Sequence, residues 1–265
     1  HLVSILLKYL CLRGSALHKL FLGCTKTILL VLDIEVYVGT SGWLYDWNED
    51  GTFDWYLRNS RLNAVELNAS FYRFPFRNQV IGWAKKTALK PIRWSIKVHR
   101  SISHVHRLDE KSYEIWRKFV ELFKPLDNYT DFYLFQMPPT FKKNENNVER
   151  LKKFVKTTGL GHRIAVEFRD QSWFNKDTVE LAKELNLTLV SIDSPIGRWI
   201  ETCNDIIYLR LHGRTEWYAY EYSDEELEDL AKNVLNLNPK KVYVFFNNNH
   251  WMLENARKML SLLTR

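Results

Sequence analysis

Three apolar stretches of the chain end in polar side chains set two residues apart: Glu66 with Asn68, Glu167 with Arg169, and Arg210 with His212. Side chains two apart on an extended strand point to the same face, so each pair shares a direction. Carboxylates held among cations suit acid–base chemistry on a polar, anionic substrate. Glu66, Glu167 and Asp193 are the candidate proton-transferring carboxylates, and His212 is a further acid–base candidate. Lys97, Arg169 and Arg210 offer cations to a phosphate or carboxylate, while Asn68, Gln136 and Asn247 add neutral hydrogen-bonding groups. Trp43, Tyr72 and Trp173 each follow a strand end and could form a stacking wall for a sugar or base.

A plainer explanation is that strand-end charges turn outward and pair beneath helices. It serves for any one residue and fails for the set, because a charge left among packed helices is costly unless paired. A divalent-metal site is the second chemistry, since Glu66, Glu167, Asp193 and His212 are acceptable ligand types. Three cations from neighbouring strand ends would crowd such an ion, and no HExxH or close histidine pair occurs, with His104 and His106 falling in a loop. The reading therefore assigns no metal and no cofactor. Ser41, in "TSGW", is not a nucleophile elbow, and Gly39 and Gly42 serve equally well as an anion cradle or a tight turn.

These residues need a scaffold that gathers them. Eight runs rich in β-branched and aromatic residues recur, at 36–40, 62–68, 92–98, 131–136, 163–168, 187–192, 206–211 and 242–247. Between them, Tyr113, Trp116, Val120 and Phe123, then Val148, Leu151 and Val155, and later Leu227, Leu230, Ala231 and Val234 recur at helical spacing. Ser223 and Glu226 form a capping-box start, Gly159 and Asn238-Pro239 mark stops, and residues 253–263 form a closing helix. Only 193–205 is too short for a crossover helix. This pattern predicts an α/β fold, a closed (β/α)8 TIM-type barrel over 36–265, with its active site at the carboxyl ends of the strands. An open doubly wound sheet is the alternative, but neither G-x-G-x-x-G nor a P-loop follows the first strand.

Of the 265 residues, 46% are hydrophobic and 14% aromatic, which excludes a disordered chain. A net charge of +7 favours anionic partners: a small anionic or sugar-like molecule first, with nucleic acid as a less favoured, non-catalytic alternative. No basic block exceeds pairs such as Lys85-Lys86 and Lys142-Lys143, so the continuous track of a nucleic-acid binder is lacking. Cys11, Cys24 and Cys203 form no CxxC and fit a reducing cytoplasm. Residues 1–35 form an N-terminal extension, leucine-rich and without an acid before Asp33. Its apolar runs are cut by cations and by Gly14 and Gly23, well short of the roughly 18 residues of a membrane span. An accessory helical segment, a misplaced start and an interfacial anchor all fit it.

In order along the chain, "VGTSGW", "VELNASFYRFP", "IKVHRSISH", "FQMPPTF", "AVEFRDQSWF", "YLRLHG" with "YSDEEL", and "FNNN" with a later "NA" resemble the signature blocks of the YecE-like family. The resemblance covers about Val36 to Leu263. It implies a TIM-type barrel of unknown function and brings no established reaction. Family members often have an acid after "FNN", where this chain has Asn249, so no catalytic acid is assigned to the eighth strand.

Overall fold

The structure, a computed structural model, describes residues 34–264; the extension read at 1–35 lies almost wholly outside them. In chain order the strands are β1 (Glu35–Thr40), β2 (Ala64–Leu67), β3 (Arg93–Lys97), β4 (Thr130–Gln136), β5 (Ile164–Glu167), β6 (Thr188–Ser194), β7 (Gly197–Trp199), β8 (Ile206–Leu211) and β9 (Lys241–Phe246). All but β7 join in one ring, β1-β2-β3-β4-β5-β6-β8-β9, which closes from β9 back to β1. The Ser41 amide donates to the Phe246 carbonyl at 2.9 Å across that closure. The expected closed (β/α)8 barrel is therefore the observed fold.

Among the described residues seven helices cover the ring: α1 (Phe53–Asn59), α2 (Arg77–Leu89), α3 (Lys111–Phe123), α4 (Glu145–Thr158), α5 (Lys176–Glu184), α6 (Asp224–Asn236) and α7 (Met252–Leu263). The missing eighth follows β6, as the short connection predicts. There β7 folds back antiparallel, pairing Ile192 with Trp199 and Ser194 with Gly197, and this pairing carries β6 on to Ser194. α6 starts in the expected capping box, the Glu226 amide donating to Ser223 Oγ at 3.2 Å and the Ser223 amide to Glu226 Oε2 at 2.9 Å. α4 stops at Gly159, whose φ of 65° is available to glycine at little cost. On α3 the buried face runs through Trp116, Phe119 and Phe123, with the expected Tyr113 and Val120 half-buried against the same core.

Alternation along each strand separates two cores. Inward side chains Ala64, Phe132, Leu134, Ala165, Val190, Ile192, Tyr208, Tyr243 and Phe245 fill the barrel. Outward ones, such as Val65, Ile96, Phe135, Val166 and Leu189, pack against Trp116, Phe119, Leu151 and Phe154 of the helices. The barrel floor is aromatic: Tyr37 stacks on Tyr243 at 4.8 Å, and Phe132 meets Tyr243 edge-on at 4.7 Å. Gly39 lies where β1 and β2 approach most closely, and a Cβ there would come within 2.3 Å of the Ala64 carbonyl oxygen. Close approach is therefore its requirement. Among the described residues no helix is long and apolar enough to cross a membrane.

Candidate active site at the barrel mouth

The strand parity that buries Ala64, Leu134, Ala165, Tyr208 and Phe245 also turns Glu66, Gln136, Glu167, Arg210 and Asn247 inward, two residues further on. Arg210 sits at the centre, fully buried. Its Nε and Nη2 donate to the two oxygens of Glu66 at 3.0 and 2.6 Å, and its Nη1 donates to Glu167 Oε2. Glu167 Oε1 accepts from Arg169 Nε. Gln136 Oε1 accepts from Lys97 Nζ at 2.7 Å and from Arg169 Nη2 at 3.4 Å. His212 closes the group: its Nε2 stands 3.5 Å from Glu167 Oε2 and its Nδ1 3.4 Å from the Asn247 amide nitrogen. Side chains from β3, β4, β5, β8 and β9 thus meet around one rim, with β2 anchoring it from below.

Glu66 accepts four hydrogen bonds, two from Arg210 and one each from Ser41 Oγ at 2.9 Å and Tyr208 Oη at 2.7 Å. A carboxylate has about four acceptor positions, so none is left for a substrate proton. The expectation that Glu66 transfers protons is corrected: it is a counter-ion that fixes Arg210. Burial alone would raise the Glu167 carboxyl, but Arg169, Arg210 and His212 hold it well below the ordinary range, so it stays ionised. Burial and the neighbouring Arg169 push His212 down to about 3, leaving a neutral imidazole. Burial, together with Arg210, lowers Lys97 to about 7, against the pull of Glu167 and Glu66. In this cluster Lys97 changes charge near neutral pH.

Three sequence-predicted residues lie elsewhere. Asp193 shares the outward parity of Leu189, not the inward parity of Val190 and Ile192. It is held behind the barrel wall by Arg198 at 3.2 Å, Arg214 at 3.2 Å and the Tyr222 hydroxyl at 3.2 Å. Trp43 packs into the outer core against Phe53 and Trp94. Trp173 is fully buried, stacked 4.0 Å from Phe168, with its indole N–H donating to the Phe141 carbonyl at 2.7 Å. Both tryptophans are packing residues. Tyr72 remains at the rim with 69% of its surface exposed. Asn68 begins the turn Ala69–Phe71, and its Oδ1 is buried without a hydrogen-bond partner among the described residues. His104 lies edge-on to Phe71 and His106 faces Asp109, so neither joins a metal-like group. Among the described residues, no three His, Cys, Asp or Glu side chains are grouped to hold a metal ion.

The sequence profile of the family described as "Protein of unknown function DUF72" matches residues 37–265. The chain belongs to this family. A relative, UPF0759 protein YunF of Bacillus subtilis (strain 168), is 28% identical over 270 residues, covering 86% of this chain and 94% of its own. The crystal structure of a DUF72 family protein from Thermotoga maritima is 29% identical with a TM-score of 0.77, over 87% of this chain and 100% of that one. A xylose isomerase domain containing protein from Salmonella typhimurium, 14% identical, has a TM-score of 0.57 over 89% of this chain and 98% of that one, a likeness of fold alone.

The DUF72 mouth also uses residues that sequence reasoning passed over. Trp217 lies under the Arg169 guanidinium at 4.2 Å and beside the His212 ring at 5.5 Å. The Tyr45 phenol donates to the Ser41 carbonyl at 3.2 Å and is pushed up to about 12 by burial and by Glu66. Tyr218 lies 6.0 Å from His212. Trp217 and Tyr218 belong to "EWYAYEY", an aromatic cluster in the loop after β8, and in this fold such loops build the site. Tyr208 is two before Arg210, so the parity that selected Arg210 and His212 selects it as well.

Proposed function

We propose that this DUF72 protein, YecE-like in its signature blocks, is a cytoplasmic enzyme that isomerises or hydrolyses a small anionic or sugar-like molecule by acid–base chemistry at the barrel mouth. One observation carries the reading: Lys97, Gln136, Glu167, Arg169, Arg210 and His212, drawn from four strands, surround one point at the carboxyl end of the barrel. Two arginines offset two glutamates there, so the cluster's charge is set by Lys97. A ring with at most one unit of charge imbalance suits a polyhydroxylated substrate with a single anionic group better than a dense polyanion. Tyr72, Trp217 and Tyr218 supply flat apolar faces of the kind that pack on sugar rings. In this reading Arg169 binds and orients the substrate, Glu167 keeps Arg169 and Arg210 in place, Lys97 contributes the charge that changes near neutral pH, and His212, neutral at that pH, moves the proton.

A thermal-shift screen of the purified full chain against aldoses, ketoses, sugar acids and sugar phosphates tests it, because a ligand stabilises the state it binds. At least one compound is expected to raise the Tm, and Glu167→Gln, with its fold checked by circular dichroism, is expected to lose that response. A panel in which no sugar-like or anionic compound shifts the Tm would overturn the reading.

A further inference from the structure

We propose that Lys97 is a nucleophile that captures the substrate through a carbonyl carbon, forming an imine, so that the substrate class is a sugar-like aldehyde or ketone in its open-chain form. The proposal rests on the reading of the mouth as an acid–base site and deepens it.

The geometry around Nζ is that of a confined amine. Lys97 is 8% exposed, at the inward end of β3. Its Nζ lies 4.4 Å from the centre of the Phe71 ring and donates to Gln136 Oε1 at 2.7 Å. Among the described residues no carboxylate bonds to it. Glu66 and Glu167, the acids that face it, are instead taken up by Arg210 and Arg169. Of the other charged or titratable groups that face it, Arg169 and Arg210 disfavour its protonated form, and the imidazole of His104, lowered to about 4, carries no charge at neutral pH. A lysine desolvated beside other cations keeps a free lone pair. With a pKa of about 7 in place of 10.5, its uncharged fraction at neutral pH exceeds that of a surface lysine by a factor on the order of a thousand.

In the step itself, the Nζ lone pair attacks the carbonyl carbon and a C–N bond forms. Both amine hydrogens then leave with the carbonyl oxygen as one water molecule, giving the imine with no change in oxidation state. A proton on the imine nitrogen makes the group an electron sink, so an adjacent C–H can lose its proton to the neutral imidazole of His212. Return of that proton to the opposite face of the same carbon regenerates the protonated imine, and addition of water across it releases the epimer and restores the amine. No oxidant, reductant or second substrate is required.

The test is reductive trapping on the wild-type full chain. The protein is incubated with glyoxylate or with dihydroxyacetone in the presence of sodium cyanoborohydride, and the adduct is located by intact mass and peptide mapping across a pH series. A single dominant adduct on Lys97, forming at a half-maximal rate near pH 7 and absent from Lys97→Arg, is expected. Adducts scattered over surface lysines, or Lys97 modification that rises only in the ordinary lysine range, would overturn the proposal. If sugars still raise the Tm while Lys97 stays unmodified, imine formation alone is rejected and the acid–base reading stands. If neither response occurs, both fall.

Discussion

At the amino-terminal end of the barrel, Arg93 pairs with Asp131 on the adjacent strand, and the two side chains keep 33% and 17% of their surface in water. The Tyr243 hydroxyl joins Asp131 at 2.9 Å, and a cavity of about 260 Å³ opens beside them, lined also by His162 and Arg163. At the mouth, Arg210, Glu66 and Glu167 are 0% exposed, and Arg210 reaches Glu66 across 144 positions of sequence. Both ends therefore use arginine and carboxylate, one wet and between neighbouring strands, the other dry and across the ring. A dry ionic network is a poor source of stability, because desolvating the charges offsets most of their attraction. The wet pairs satisfy the needs of the fold at low cost. Retaining dry charges at the mouth accords with the binding role proposed for it.

Removing one partner from each end gives the largest expected contrast. Arg210→Met leaves two buried carboxylates short of their common guanidinium and should destabilise the protein by about 3–5 kcal/mol. Arg93→Met should cost about 1 kcal/mol, since water in the adjoining cavity and the Tyr243 hydroxyl take up the half-buried Asp131. Urea denaturation of both variants measures the difference, and equal losses would break the comparison.

The mouth should also set how stability varies with pH. The lysine pKa is lowered on folding, so between about 7 and 10.5 the unfolded chain holds a proton that folded Lys97 has released. Stability should therefore rise with pH over the lower part of that window, by up to about 1.4 kcal/mol per pH unit. Lys97→Met should flatten this rise in denaturation curves collected from pH 7 to about 9, before ordinary tyrosines titrate. An unchanged slope would mean that another group supplies it. Glu167 has the opposite sign. Its lowered folded pKa adds stability that is fully present above the ordinary value of 4.5 and is lost as pH falls through the depressed one. Glu167→Gln should make the acid limb shallower below about pH 4.5.

Much of this was legible in the chain, and each failure has a physical cause. The eight ring strands, their closure and the helix missing after β6 follow from apolar runs and connection lengths, which are local; the three-residue β7 within 193–205 is too short to leave such a run. Glu66, Glu167, Arg210 and His212 come together because each lies an even number of residues from a side chain, Ala64, Ala165 or Tyr208, that fills the barrel. The same rule rejects Asp193, one residue past Ile192 on β6, and it was missed because a strand buried on both faces offers no alternation by which to tell them apart. Trp43 and Trp173 lie beyond their strand ends, where parity no longer applies, and the aromatic outer core captured them. Ser41 and Tyr208 support Glu66 through contacts that span 25 and 142 positions, and no local pattern reports those.

The smallest effect should come from Asp131→Asn, which is the sharpest control for the comparison. The change removes the negative partner of Arg93 but keeps the side chain's shape and an acceptor for the Tyr243 hydroxyl. Arg93 also donates to the Asn128 carbonyl at 3.2 Å and keeps a third of its surface in water, so its charge stays solvated. A loss of about 1 kcal/mol or less in urea midpoints is expected. Every sugar-induced Tm shift seen in the wild type should survive, because nothing at the mouth leans on Asp131. If Asp131→Asn instead abolished ligand stabilisation while the fold was preserved, the two ends would be coupled through the Tyr243–Phe132–Tyr208 stack that joins floor to mouth. The barrel interior would then be part of the site.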